Sequence, residues 1–87
     1  MIVLCILGGV MGMAVLGDKL YFVCRESTVI KIYNANTLSP LGRDIRVEGM
    51  KDPVDMVVCR DDRQLYVADW GDQSKEHCIW RVSATGG

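Results

Sequence analysis

The fold is decided by two stretches of the chain, MAVLGDKLYFVC at residues 13–24 and MVVCRDDRQLYVA at residues 56–68. Both begin with Met, continue through three mostly apolar residues and a polar turn, and then reach a Leu-Tyr pair followed by apolar residues. From Leu20 to Leu65 the offset is 45 residues, and the second turn is two residues longer than the first. The chain therefore contains an internal repeat.

The repeat continues into a third segment, where Val29–Ile32 matches Ile79–Val82 and would place Lys31 and Arg81 at equivalent positions. Short runs rich in aromatic and β-branched residues, separated by turn-forming Gly and Asp residues, predict β-strands. Repeats of about 40 to 50 residues with β character are typical of β-propellers, whose blades are four-stranded antiparallel sheets. We therefore predict an all-β fold of antiparallel four-stranded blade units.

The strand count predicts an incomplete propeller. The predicted strands cover residues 12–16, 19–25, 28–34 and 44–48 in one unit and 55–59, 64–69 and 77–83 in the next. The chain then divides into an apolar N-terminal segment (1–11), a first blade (12–52) and a second blade that lacks its last strand (53–87). Closed propellers have about 4 to 8 blades, so apolar blade faces would be left open here. We expect either a longer protein or copies that associate, a possible homo-oligomer that completes a propeller.

Composition excludes some classes of function. The chain has 87 residues, is 49% hydrophobic and carries a formal net charge of −1, which does not fit an intrinsically disordered protein. Without a net basic field, a nucleic acid is an unlikely partner and no membrane partner is expected. The uncharged stretch before Gly17 is shorter than the roughly 20 residues of a membrane span. It also lacks the positive start of a signal peptide, and the compartment is left open.

The four cysteines have no paired spacing. Cys5, Cys24, Cys59 and Cys78 form no C-x-x-C motif, although such close ligand pairs are usual in structural zinc sites. Each lies in or beside an apolar run, where a free thiol behaves as a small buried hydrophobe. We favour reduced core cysteines over two disulfides, and predict no metal and no cofactor.

The second unit carries a recognisable pattern in three pieces, DPVDMVV at residues 52–58, QLYVADW at 64–70 and CIWRV at 78–82. This sequence resembles the NHL-repeat pattern: Pro, a small or acidic residue, an apolar strand, an Asp-rich turn, apolar-Tyr-Val-Ala-Asp, a loop, and a short apolar-Arg-apolar strand. The resemblance covers about 35 residues. The first unit is a degraded copy without the Asp, and similar blades occur in YVTN-repeat and lactonase-type propellers. The resemblance implies a fragment of an NHL-like β-propeller.

Three residues are candidates for binding: Trp70, Asp55 and Asp69. The resemblance implies that Asp69 accepts backbone N–H groups in a turn, with metal or base chemistry near a channel mouth as the alternative. Asp55 enters the innermost strand and could face a ligand, although turn capping is favoured. Trp70 begins a loop and could be an exposed recognition aromatic, whereas Trp80 is predicted to pack between blades.

No catalytic residues are predicted. His77 is the only histidine, and no Ser-His-Asp arrangement, P-loop or H-E-x-x-H motif occurs. The predicted function is a protein-interaction scaffold that binds a protein partner without catalysis of its own. As alternatives, the resemblance implies a fragment of a metal-dependent propeller hydrolase or lyase, or an RNA-binding NHL-type domain.

Overall fold

The computed structural model describes residues 1–6, 8–72 and 76–84, and these residues form seven strands and no helix. The strands are β1 (Val10–Leu16), β2 (Lys19–Cys24), β3 (Val29–Asn34), β4 (Ile45–Arg46), β5 (Pro53–Cys59), β6 (Gln64–Asp69) and β7 (Cys78–Ser83). Sheet 1 has the order β1-β2-β3-β4 and sheet 2 the order β5-β6-β7, with every pairing antiparallel. The predicted all-β antiparallel fold is confirmed, and the open sheets are consistent with an incomplete propeller-like arrangement.

Three strands differ from the prediction by two residues at one end. β5 begins at Pro53, two residues before the predicted start at Asp55, because Pro53 still pairs with Asp69 beyond a β-bulge. β1 begins at Val10, two residues earlier than predicted, because Val10 still pairs with Cys24 beyond a β-bulge. β4 keeps only two residues of the predicted strand at 44–48. The predicted turn toward a further strand falls partly on residues 85–87, which lie outside the described residues. No helix in the described part of the chain has the length and apolarity needed to cross a bilayer.

The backbone pairing confirms the internal repeat. β1 pairs with β2 in the same register as β5 pairs with β6, including one β-bulge after the first residue of β1 and of β5. Corresponding residues are 43 positions apart in β1 and β5 (Val10 and Pro53) and 45 apart in β2 and β6 (Lys19 and Gln64). The equivalent residues are Gly12 and Asp55, Met13 and Met56, Ala14 and Val57, Val15 and Val58, Leu20 and Leu65, Tyr21 and Tyr66, Phe22 and Val67, and Val23 and Ala68.

Backbone hydrogen bonds outside the strands obey the same correspondence. In sheet 1, Arg25 N donates to Gly9 O at 2.9 Å, and in sheet 2 the equivalent Trp70 N donates to Asp52 O at 3.0 Å. Likewise, Ala35 N donates to Asp18 O at 2.8 Å, and Ala84 N donates to Arg63 O at 2.9 Å. Ala35 and Ala84 are therefore equivalent. Because the bonds match at both ends of the units, the repeat extends beyond the strands into the loops.

The third strand corrects one prediction. Ile32 pairs with Tyr21 in sheet 1, and Arg81 pairs with Tyr66 in sheet 2, so Arg81 corresponds to Ile32. By the same register Lys31 corresponds to Trp80 and not to Arg81, and the predicted match was wrong by one residue. The cause is the length of the loop before β7, because four extra residues there change the offset from 45 to 49. A shift of one residue moves every side chain of a strand to the other face of the sheet.

The core lies between the two sheets, and each sheet contributes a different face to it. We call one face of each unit the forward face: Ala14, Tyr21, Val23 and Ile30 in sheet 1, and Val57, Tyr66, Ala68 and Ile79 in sheet 2. The opposite, rear face carries Met13, Val15, Leu20 and Phe22 in sheet 1, and Met56, Val58, Leu65 and Val67 in sheet 2. The forward face of sheet 1 and the rear face of sheet 2 belong to one hydrophobic cluster. The chain thus buries two complementary faces of a repeated unit.

The junction between the sheets is tight at its inner strands. A Cβ placed on Gly12 of β1 would lie 2.5 Å from Met56 N and 2.8 Å from Asp55 C, both backbone atoms of β5. Only glycine permits this approach. Across the same junction the buried Tyr21 hydroxyl donates a hydrogen bond to Ala84 O at 3.0 Å.

All four cysteines are free thiols. Cys24 and Cys59 are half-buried, but Cys5 and Cys78 are exposed, so the prediction of core cysteines was wrong for the latter two. Cys5 lies outside the strands, and Cys78 starts β7, the outermost strand of sheet 2, which has no neighbour on its far side among the described residues. Apolar sequence neighbours do not bury a residue at an edge.

Candidate functional site

Asp69 ends β6 and is the one buried charged residue of the described chain, with 2% of its surface exposed. Its Oδ1 accepts hydrogen bonds from Asp52 N and Gly71 N, both at 2.8 Å. Its Oδ2 accepts bonds from Lys51 N and from the indole Nε1 of Trp80, both at 2.9 Å. The carboxylate therefore ties the segment that leads from sheet 1 into sheet 2 to the end of β6 and to β7.

The charge of Asp69 is stabilised by these donors. Burial raises the pKa of the Asp69 carboxyl, but the backbone N–H groups of Asp52, Lys51 and Gly71, together with the Trp80 indole, outweigh it. The pKa accordingly lies below its ordinary value, and the group is ionised at neutral pH. This geometry agrees with the turn role that the resemblance implies. Metal or substrate binding at Asp69 would require the carboxylate to release donors that it already holds.

Trp70 follows Asp69 directly and points outward, with 62% of its surface exposed. Its ring stacks on His77, with ring centroids 5.6 Å apart and planes 4° from parallel. It borders an open cleft of about 470 Å³, whose lining is Met11, Arg25, Asp52, Val54 and Trp70. Met11 lies in β1 and Arg25 directly follows β2 of sheet 1, whereas Asp52 directly precedes β5, Val54 lies in β5 and Trp70 directly follows β6 of sheet 2. The cleft therefore lies where the two units meet.

The rim of this cleft is held by the backbone of Asp52. Asp52 N donates to Asp69, Asp52 O accepts from Trp70 N at 3.0 Å, and Asp52 Oδ1 accepts from Glu26 N at 3.0 Å. Sequence reasoning missed both Asp52 and Arg25 as lining residues. The Asp-Pro pair that opens the second unit was the available signal for Asp52, whereas Arg25 is placed only by the packing of the two sheets.

Asp55 lies apart from Trp70, on the forward face of sheet 2. Its side chain is exposed, and its Oδ1 accepts a hydrogen bond from Met56 N at 2.8 Å. It borders a shallow depression of about 130 Å³ whose floor is apolar and includes Val57 and Ile79. The structure thus does not gather the three predicted residues into one site: Asp69 is internal, Trp70 borders the cleft, and Asp55 lies on an open sheet face.

The described residues hold no group of three or more His, Cys, Asp or Glu side chains arranged to bind a metal ion. Comparison with protein-family models, with curated proteins and with solved structures finds no match.

Proposed function

We propose that the chain is a protein-interaction scaffold without catalysis of its own, built from two blade-like units of an NHL-like β-propeller. The Trp70 cleft is its recognition site. The observation that carries this proposal is the combination of an exposed Trp70 ring with a fixed backbone beneath it, since Trp70 N is bonded to Asp52 and the preceding Asp69 is anchored by four donors.

The chemistry of the cleft suits a peptide segment. Trp and Arg are the residues most enriched at binding hot spots, and Trp70 and Arg25 line the same cleft. Stacking on His77 restricts the rotamers of Trp70 before a partner arrives, which lowers the entropy cost of binding. Met11 and Val54 add apolar surface. We expect a segment with an apolar side chain over Trp70 and an acidic group near Arg25.

A peptide-display selection on the intact chain, counter-selected on the Trp70→Ala variant, tests the proposal. Affinities of the enriched peptides are then measured by calorimetry. Truncation of a hot-spot Trp costs about 2 kcal/mol or more, so Trp70→Ala should weaken binding at least about thirty-fold. Leu41→Ala is the control, because Leu41 is an exposed apolar residue outside the cleft.

Failure to enrich any peptide, or peptides that bind the wild-type chain and Trp70→Ala equally, would overturn this assignment. No specific observation among the described residues favours the hydrolase, lyase or RNA-binding alternatives over it.

A further inference from the structure

Two sheet faces lack a partner sheet among the described residues, and each exposes apolar side chains. On the forward face of sheet 2, Val57 is 58% and Ile79 is 77% exposed. Their counterparts in sheet 1, Ala14 and Ile30, are buried in the junction. On the rear face of sheet 1, Met13 is 63% and Val15 is 41% exposed, whereas Met56, the counterpart of Met13, is buried. Phe22 on the same rear face is already buried within the chain. Each open face is therefore the repeat equivalent of a face that the chain itself buries.

We propose that a second copy of this chain docks on these faces, with the rear face of its sheet 1 against the forward face of sheet 2, so that the contact repeats the junction within the chain. The two rear faces carry the same residue types at three positions: Met13 and Met56, Val15 and Val58, Leu20 and Leu65. A surface that matches the rear face of sheet 2 this closely is suited to cover a forward face. The inference does not depend on the Trp70 cleft.

The junction within the chain also supplies a specific polar contact for the proposed interface. Inside the chain, the hydroxyl of Tyr21 donates to Ala84 O. Tyr66 corresponds to Tyr21 and Ala35 corresponds to Ala84, as the strand register and the loop hydrogen bonds show. Docking of the proposed kind therefore brings the half-buried Tyr66 hydroxyl to Ala35 O of the second copy.

Three residues make this contact less favourable than the one within the chain. Asp55 replaces Gly12, whose position has no room for a Cβ in the internal junction, so the inner strands of two copies must lie further apart. Arg81 replaces the buried Ile32 on the forward face, and Lys31 replaces the core-packed Trp80 on the rear face. All three changes add charge where the internal junction has glycine or an apolar side chain.

The N-terminal segment competes for one of the faces. Leu4 and Ile6 line a cleft of about 350 Å³ together with Met13, Leu20 and Phe22 of the rear face of sheet 1. A second copy must displace residues 1–6 to reach this face fully. We therefore expect deletion of residues 1–6 to strengthen association.

The proposed contact joins two different faces, so it is heterologous and propagates into a ring if the rotation closes. Three copies would bring six sheets together, within the range of about 4 to 8 blades in closed propellers. Because the two docking faces are different surfaces, a variant with one damaged face can still associate through the other.

Sedimentation across a range of concentrations should show self-association of the wild-type chain. Met13→Lys damages the rear face and Ile79→Lys the forward face. Because both side chains are exposed in the single chain, circular dichroism should show unchanged folding. Each variant alone should associate at least about ten-fold more weakly. A mixture of the two should form a one-to-one dimer that does not grow. Leu41→Lys, an exposed position outside both faces, should behave as wild type.

Finer variants test the geometry of the contact. Tyr66→Phe should weaken association about three- to ten-fold, as expected for loss of one hydrogen bond. Asp55→Gly should strengthen it, and more than Asp55→Ala does, because only glycine removes the Cβ. Trp70→Ala should leave association unchanged, which separates failure here from failure of the proposed recognition site.

A wild-type chain that stays monomeric throughout, association that neither Lys variant weakens, or a mixture that does not dimerise would each overturn the inference.

Discussion

Replacement of Asp69 should show how far the fold depends on one carboxylate. Asp69→Ala removes the acceptor of four hydrogen bonds, three from backbone N–H groups and one from the Trp80 indole. Asp69→Asn keeps the shape of the side chain but replaces one carboxylate oxygen with an NH₂ group, which donates and cannot accept. The pair of variants therefore separates the loss of all four contacts from the loss of two.

The expected magnitudes follow from the number of donors that lose their acceptor. An unpaired buried donor costs about 1–3 kcal/mol, and the lower end applies here because these contacts are partly buried and water can replace some of them. Asp69→Ala should then lower the free energy of unfolding by about 3–4 kcal/mol, and Asp69→Asn by about 2 kcal/mol. Small domains have about 5 kcal/mol at the low end of the usual range, so Asp69→Ala approaches complete loss of the fold.

Urea unfolding monitored by circular dichroism and Trp fluorescence measures these changes. All variants must be compared at one chain concentration, because association would add to the apparent stability. Asp61→Asn in the turn between β5 and β6 is the control, with an expected change within about 0.5 kcal/mol. If Asp69→Ala and Asp61→Asn unfold at the same urea concentration, the role assigned to the Asp69 carboxylate is refuted.

Three further perturbations test other parts of the structure. Because the folded-state pKa of Asp69 is below its unfolded value of about 3.9, its contribution to stability is complete above that pH and is lost as the pH falls through the folded pKa. An acid titration of unfolding should therefore show a smaller loss in Asp69→Asn than in wild type. Gly12→Ala should lower the stability in thermal unfolding by about 3 kcal/mol or more, because the added Cβ would collide with the backbone of β5. Gly17→Ala is the control and should cost only about 1 kcal/mol, because Gly17 has φ 64° but free space around it. Equal losses in the two variants would contradict the close approach at Gly12. Trp80→Ala should lower the free energy of unfolding in urea by about 3–5 kcal/mol, because the ring packs against the core and its Cη2 lies 3.1 Å from a Cβ built on Gly49. A loss below about 1 kcal/mol would mean that the ring is exposed to solvent.

The positions of most strands could be predicted from local sequence patterns. Apolar and aromatic runs placed β2 and β6 almost at their observed ends, and the turn at Gly17-Asp18 separates β1 from β2 as expected. Trp70 is exposed, consistent with its candidacy as a recognition aromatic, and Trp80 packs against the core. These features depend on neighbours close in the chain, whose effects are visible in sequence.

The donors of Asp69 were less accessible to sequence reasoning. The resemblance implied a turn role, and the Gly71 donor fits it, but the other three donors are Asp52 and Lys51, 17 and 18 positions earlier, and Trp80, 11 positions later. Only the folding of the linking segment against the end of β6 brings these groups to the same carboxylate. The Trp70 cleft has the same origin, because Arg25 adjoins sheet 1 and Asp52 adjoins sheet 2.

The sequence by itself determined the repeated unit, since alternating apolar residues and turn formers specify short antiparallel strands wherever they occur. Only the tertiary structure decided which face of each unit is buried and which register β7 takes. Tyr21 and Tyr66 hold equivalent positions, yet Tyr21 is fully buried and Tyr66 is half-exposed. The physical reason is that a strand pattern records that a face is apolar, whereas burial requires a second sheet to lie against that face.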